Sequence, residues 1–408
     1  MRDITVVVTN LSNRAHYYHW FIYGLMLLSK KGVIRLRFEV SPYQRIMVTS
    51  YTSWLFRLLE RMRKNWLKMR GKTSEIKKNA YLRGYMTDST GQTKKFCIDS
   101  ADSPNMYSGE LLKTVDIYFK TQCPKHFDRK GFPLGHVYIP YFDVEYLNPE
   151  DEQKGKGKRK TCPEVFEYND KIKPLMTGVR KMGRTCSYHV LNSFYKNMLK
   201  SRREEKTQKA MCYFGNAKGP VPTECVKAPD YDWEADIMGY YGDQLHHPNE
   251  KRTVIGNILQ SLGNGYDSRI IRNGHADSHK GKKERSLVVP LKYFSRHVAH
   301  FQYNINVSGF RMSIPSRFID SFVCGTAIAT DNLYVKWYHP FGKEVTEIGE
   351  MGYLPNQEVG YEAIKETITK LPPADKELII SNYEKWWSPE ACARYMVDTV
   401  IGNNYHHT

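Results

Sequence analysis

Residues 309–331 read GFRMSIPSRFIDSFVCGTAIATD. This stretch puts a polar helix start, an apolar helix and a buried strand into one unit. Ser313 or Ser316 can cap the helix, Pro315 suits its first turn, and the N–H groups left free at such an end can receive an anion such as a diphosphate. Arg311 and Arg317 flank the same end. Arg317 and Asp320 lie three apart and share a helical face, while Phe318, Ile319, Phe322 and Val323 supply the apolar remainder. Gly325 stops the helix, and TAIAT reads as a short parallel strand. At its carboxyl end stands Asp331, where open α/β sheets place their ligands.

Outward from this unit the same alternation repeats. AMCYFG reads as a strand, residues 251–262 as a helix, SRIIR as a strand, residues 290–300 as a helix and YNINVS as a strand. The amino-terminal half starts in the same way. A strand over 4–9, a polar loop over 10–14, an aromatic-rich helix over 15–29 and a second strand, VIRLRFEV, form a βαβ opening, with later strands at KKFCIDS, DIYFK and HVYIPYF. A polar helix over 192–209 leads into AMCYFG. With 408 residues the chain exceeds what one core usually supports. The expected fold class is α/β with two Rossmann-like domains, 1–205 and 206–385, and a ligand cleft between them. Residues 386–408 form a terminal helix, with Ser388 as cap and Pro389 at its first position. No GxGxxG follows the first strand, so a dinucleotide fingerprint is missing.

The spacing of Arg317, Asp320, Gly325 and the acidic Asp331 after the next strand resembles the carboxyl-terminal signature of GT-B glycosyltransferases, most closely the exostosin-like group. The resemblance implies that this segment holds a nucleotide-sugar donor and that the terminal helix crosses back onto the first domain. It implies glycosyl transfer from that donor to a glycan or lipid-linked acceptor, in the synthesis of surface polysaccharide or glycoconjugate. The donor is then a co-substrate, and neither a cofactor nor a metal is expected. In the loop GNAKGP, Gly215 and Gly219 let backbone approach a ligand; with the resemblance, Asn216 and Lys218 would sit near the diphosphate beside Arg311, Ser313, Ser316 and Arg317. Convergent cations there would neutralise the leaving nucleotide diphosphate. Asp320 or Asp331 would accept hydrogen bonds from sugar or ribose hydroxyls. An inverting transfer needs a base from the first domain; His16, with His19 behind it, stands near the carboxyl end of the first strand and can titrate near neutrality. Asp99 and Asp102 are placed equally well, and a retaining transfer requires neither histidine. Asp230-Tyr231-Asp232 has the spacing of a carboxylate metal motif but reads as a surface triplet, and the pairs His246/His247, His275/His279 and His406/His407 lack the supporting ligands of a zinc site.

Charge divides the chain unevenly. Residues 1–200 hold 36 Lys and Arg against 18 Asp and Glu, whereas 201–408 hold 25 against 25, so the first half carries the whole net charge of +18. Such asymmetry points the amino-terminal half at a polyanion. Within it, residues 54–70 form a strongly amphipathic helix. Trp54, Leu55, Leu58, Leu59, Met62, Trp66 and Met69 fall in one arc, and Arg57, Arg61, Lys64 and Lys68 occupy the opposite side. Two readings stand side by side: an anionic membrane surface met by Trp54, Arg57, Arg61, Lys64 and Lys68, or an apolar face packed in the core with a solvated basic face. The basic run KGKGKRK at 154–160 reads as a solvated loop. Eight cysteines without a CxxC pair or regular spacing fit a reducing compartment. Met1 is followed almost at once by the strand ITVVVT, leaving no room for a secretory leader, and no run reaches the ~18 apolar residues of a membrane span. The expectation is a cytoplasmic protein, peripheral on the inner face of the membrane. The alternative is a non-catalytic nucleic-acid binder that uses the basic half and stacks bases on its tyrosines, though no binding module accompanies the charge.

Overall fold

The structure, a computed structural model, describes residues 4–11, 17–49, 53–71, 81–101, 104, 107–125, 164–179, 186–217, 248–272, 289, 291–308, 313–331, 333, 335–348 and 358–402. The chain opens with β1 (Thr5–Asn10), α1 (His19–Lys30), β2 (Arg35–Phe38), α2 (Pro42–Thr49) and α3 (Ser53–Met69). There follow β3 (Leu82–Thr87), β4 (Thr93–Asp99), α4 (Gly109–Thr114), β5 (Ile117–Lys120), β6 (Cys123–Pro124), α5 (Glu164–Glu167), β7 (Ile172–Pro174) and α6 (Tyr188–Lys200). The remainder comprises β8 (Gln208–Ala217), α7 (Pro248–Leu262), β9 (Tyr266–Arg272), α8 (Leu291–Val298), β10 (Phe301–Asn306), α9 (Arg317–Phe322), β11 (Ala327–Thr330), β12 (Val335–Lys336) and β13 (Val345–Glu347). It closes with α10 (Glu358–Thr369), α11 (Lys376–Asn382), a π turn (Tyr383–Trp387) and α12 (Pro389–Ile401).

The result is a mixed α/β fold with parallel sheets and a carboxyl-terminal helix. The first sheet has the order β2-β1-β3-β4-β5-β7 and is parallel apart from β3, which runs antiparallel to both β1 and β4. The second, β13-β11-β10-β8-β9, is parallel throughout. Helices linking parallel strands cover sheet faces, which is why β10 and β11 are continuous buried runs rather than alternating ones. One apolar cluster takes in side chains of both sheets, from Val6, Phe21 and Phe96 to Met211, Phe301 and Ile328.

The β3–β4 hairpin departs from the doubly wound pattern expected of the first half. Its turn is held by Asp88, whose Oδ1 accepts from the N–H groups of Thr90 (2.8 Å) and Gln92 (3.0 Å). The expected strand HVYIPYF and the run KGKGKRK lie outside the described residues. The polar helix expected over 192–209 spans Tyr188–Lys200 instead, because Gln208 already pairs in β8.

The carboxyl-terminal helix α12 begins as its sequence dictates: the Ser388 hydroxyl accepts from Ala391 N–H at 3.2 Å and Pro389 occupies the first turn. It lies against α1. A Cβ placed on Gly24 would come within 1.9 Å of the Pro389 carbonyl oxygen, so only glycine allows this approach. Trp20 Nε1 donates to the Trp387 carbonyl at 3.2 Å, and Tyr395 donates to the Pro174 carbonyl at 2.9 Å.

Candidate functional site

Parallel strands direct their carboxyl ends to one edge of a sheet, and here the two edges meet. β6 leaves the end of β5, β12 follows the end of β11, and the two pair antiparallel, Val335 with Pro124 and Lys336 with Cys123. Beside them, Gln122 Nε2 donates to the Ile314 carbonyl at 3.1 Å while its Oε1 accepts from Ile314 N–H at 2.9 Å. Both residues are buried. The segment that introduces α9 is thereby stitched to the carboxyl edge of the first sheet.

On the second sheet, a chain of polar side chains runs across the carboxyl ends of β10 and β11. Arg317 Nη2 donates to Asn306 Oδ1 (3.1 Å), Asn306 Nδ2 donates to Thr330 Oγ1 (3.1 Å), and Thr330 Oγ1 donates to Asp331 Oδ1 (3.1 Å). The same Asp331 oxygen accepts from Ser308 N–H (2.9 Å) and Ser308 Oγ (2.8 Å), which fixes the turn leaving β10. The Arg317 guanidinium lies 5.8 Å from the centre of the Phe214 ring near the end of β8, and the guanidinium of Arg252, near the start of α7, lies 5.9 Å from the same ring. Two cations therefore converge on one aromatic side chain at the carboxyl edge.

The helix that carries Arg317 is shorter than the sequence suggests. α9 has one and a half turns; Ser316 holds the position before it, but its side chain makes no capping bond, and Ser313 is buried beside Ile314. So short a helix aligns few peptide dipoles, so positive charge at this edge comes chiefly from the guanidiniums. Gly325, at φ +72°, then ends the turn and lets the chain enter β11.

Asp320 faces away from this row, accepting from the Ser295 hydroxyl of α8 at 3.1 Å. Burial pushes its carboxyl up to about 7, with the Ser295 bond and the charge of Arg317 pulling the other way. A folded-state value above the usual 3.8 means that the native state keeps a proton which the unfolded chain gives up first. This group's contribution to stability is full below about pH 4 and is lost as pH rises through about 7, by at most about 1.4 kcal/mol per unit. Asp320→Asn, which keeps the acceptor for Ser295, should flatten the decline in melting temperature across that window. An unchanged slope would remove Asp320 as its source.

On the first sheet, the carboxyl ends of β4 and β5 hold a dry ion pair. Lys120 Nζ and Asp99 Oδ2 are 2.9 Å apart with side chains 0% and 2% exposed, Tyr118 donates to the same oxygen at 2.7 Å, and Asp99 Oδ1 accepts from Ala101 N–H at 2.8 Å. Both oxygens of Asp99 are engaged. His19 is the first residue of α1 and is buried. Asn216 belongs to β8, with only its backbone described. His16, Lys218, Arg311, Asp102 and the Asp230-Tyr231-Asp232 triplet lie outside the described residues, as do the three histidine pairs.

The structure thus brings together Arg317 and Asp331, and adds Asn306, Ser308, Thr330, Arg252 and Gln122, which the sequence reading does not single out. A signal for Asn306 is present. In YNINVS, Asn304 and Asn306 interrupt a strand that is otherwise mostly apolar, and polar residues at the carboxyl end of a parallel strand are where sites form. Arg252 and Gln122 carry no such mark, because their partners are distant in sequence.

No protein-family model matches this chain, and no curated protein matches it. Among solved structures it is similar to the crystal structure of WaaG, a glycosyltransferase involved in lipopolysaccharide biosynthesis, at 12% identity over 97% of this chain and 98% of that one, with a TM-score of 0.31.

Proposed function

We propose that this protein is a glycosyltransferase of GT-B architecture that moves a sugar from a nucleotide-sugar donor to a glycan or lipid-linked acceptor. One observation carries the reading: Arg317 and Arg252 converge on Phe214 at the carboxyl edge of a wholly parallel sheet, and that edge faces the carboxyl edge of another sheet. Oriented guanidiniums suit a diphosphate because they offer several donors and a charge that does not titrate away. Their service in transfer is to neutralise the leaving nucleotide diphosphate, with Arg311, Lys218, Asn216, Ser313 and Ser316 completing its surroundings. Asp331 holds the Ser308 turn beside them and is assigned to the donor's hydroxyls, Asp320 being turned to Ser295 instead. His16 or His19 supplies the base if the transfer inverts.

A panel of nucleotide-sugars in a thermal-shift assay, followed by turnover of any stabilising donor, tests this. One donor should raise the melting temperature and be consumed, with little dependence on salt. Stabilisation without consumption would leave a nucleotide-binding protein only. Retention on single-stranded nucleic acid that collapses with salt, and no response to any donor, would replace the proposal with the nucleic-acid reading.

A further inference from the structure

The amphipathic helix α3 presents its apolar stripe outward. Leu58, Met62, Trp66 and Met69 are 45%, 60%, 46% and 79% exposed, and among the described residues Tyr293 is the one other large apolar side chain left so open. At about 100° per residue these side chains span an arc of about 80°. Leu67, about 140° round from the middle of that arc, is 2% exposed and marks the side turned to the protein. Of the four bases expected opposite the stripe, Arg61 and Lys68 lie toward one of its borders, with Arg63 and Arg70 toward the other; the side chains of Arg57 and Lys64 lie outside the described residues.

A partner for this face must be apolar in the middle and negative at both borders. A second copy of α3 fails on charge, since five bases against one acid over 53–69 would meet their own kind. Nucleic acid supplies the phosphates but nothing for a row of four long apolar side chains. An anionic bilayer supplies both. The Arg70 guanidinium lies 4.3 Å from the centre of the Trp66 ring, which puts a cation at the depth of an indole, the residue enriched at headgroup level. No helix among the described residues is long and apolar enough to cross a membrane, so α3 would lie in the plane of the interface.

We propose that α3 docks the protein on an anionic lipid surface, with Leu58, Met62, Trp66 and Met69 entering the boundary between headgroups and acyl chains while Arg61, Arg63, Lys68 and Arg70 meet the lipid phosphates. This inference does not depend on the transfer reading, and its test needs no substrate, so either can fail alone.

The full chain should float with vesicles of phosphatidylcholine containing about one-third phosphatidylglycerol, and much less with phosphatidylcholine alone. Met62→Ser with Trp66→Ser should reduce vesicle binding at least about tenfold, and Arg61→Gln or Lys68→Gln about fivefold each. All four positions are exposed, so the melting temperature should stay at the wild-type value and separate docking from misfolding. Quenching of tryptophan fluorescence by brominated lipid should fall in Trp66→Phe, a readout that a purely structural role would not move. The proposal is overturned if the wild-type chain ignores anionic vesicles, if the double serine variant binds as well as wild type, or if the stripe instead mediates a dimer or oligonucleotide binding that the same substitutions abolish.

Discussion

Arg317→Ala should lower donor-dependent transfer by about 10²- to 10³-fold, the usual consequence of removing one preorganised group that stabilises developing charge. Its effect on stability should be small. The side chain is only half-buried, and its removal leaves Asn306 Oδ1 without that donor, a loss on the order of 1 kcal/mol. Arg317→Lys keeps the charge but cannot bond Asn306 and a diphosphate through one planar fork, so its activity should fall between wild type and the alanine variant. The measurements are turnover with the donor identified by thermal shift, and the size of that shift in each variant. Full activity in Arg317→Ala would end the assignment of this edge as the donor site, whatever the enzyme's fold.

The largest stability effect should come from the buried pair on the first sheet. Lys120→Met or Asp99→Ala removes one charge and strands the other without solvent, at a cost of about 3–5 kcal/mol. The double substitution Asp99→Leu with Lys120→Met removes both charges together and should recover most of that loss, because a buried ion pair regains in attraction little more than it gave up in hydration. Denaturant melts of the three variants check this, and a single-variant cost below about 1 kcal/mol would mean that water reaches the pair. The same double variant separates anchorage from chemistry at Asp99. Retained turnover identifies the carboxylate as a support for the carboxyl edge of β4; lost turnover in a protein of normal stability gives it a part in the reaction.

Much of the second sheet is legible in the chain. AMCYFG, SRIIR, YNINVS and TAIAT are short apolar runs rich in branched and aromatic residues, separated by helices with a 3.6-residue period, and each becomes a parallel strand. Ser388 and Pro389 announce α12, because capping depends on neighbours only. The β3–β4 hairpin is harder to see. LRGYMT puts a glycine in the middle of a strand, a residue that usually weakens one, and its purpose is visible only when β1 is beside it: a Cβ on Gly84 would lie 2.2 Å from the Val7 carbonyl oxygen. Ser313 and Ser316 show the opposite limit. Their spacing suits a cap, yet the chain at 313–316 is committed to Gln122 across the junction and α9 starts without one.

Periodicity was sufficient to make α3 amphipathic, since the arrangement of side chains around a helix follows from their order in the chain. Which side faces water is a different matter, decided by tertiary packing, α2 included, that buries Leu67 and none of Leu58, Met62, Trp66 or Met69. The candidate site divides in the same way. Arg317 and Asp331 could be found from local spacing, whereas Arg252, Asn306 and Gln122 acquire meaning from partners that chain folding brings within a few ångströms. Local order sets which turns, caps and faces a segment can offer because those energies are local; which of them are used, and the meeting of two sheet edges, are set by burial and hydrogen bonding between residues far apart in the chain, which no short window of sequence contains.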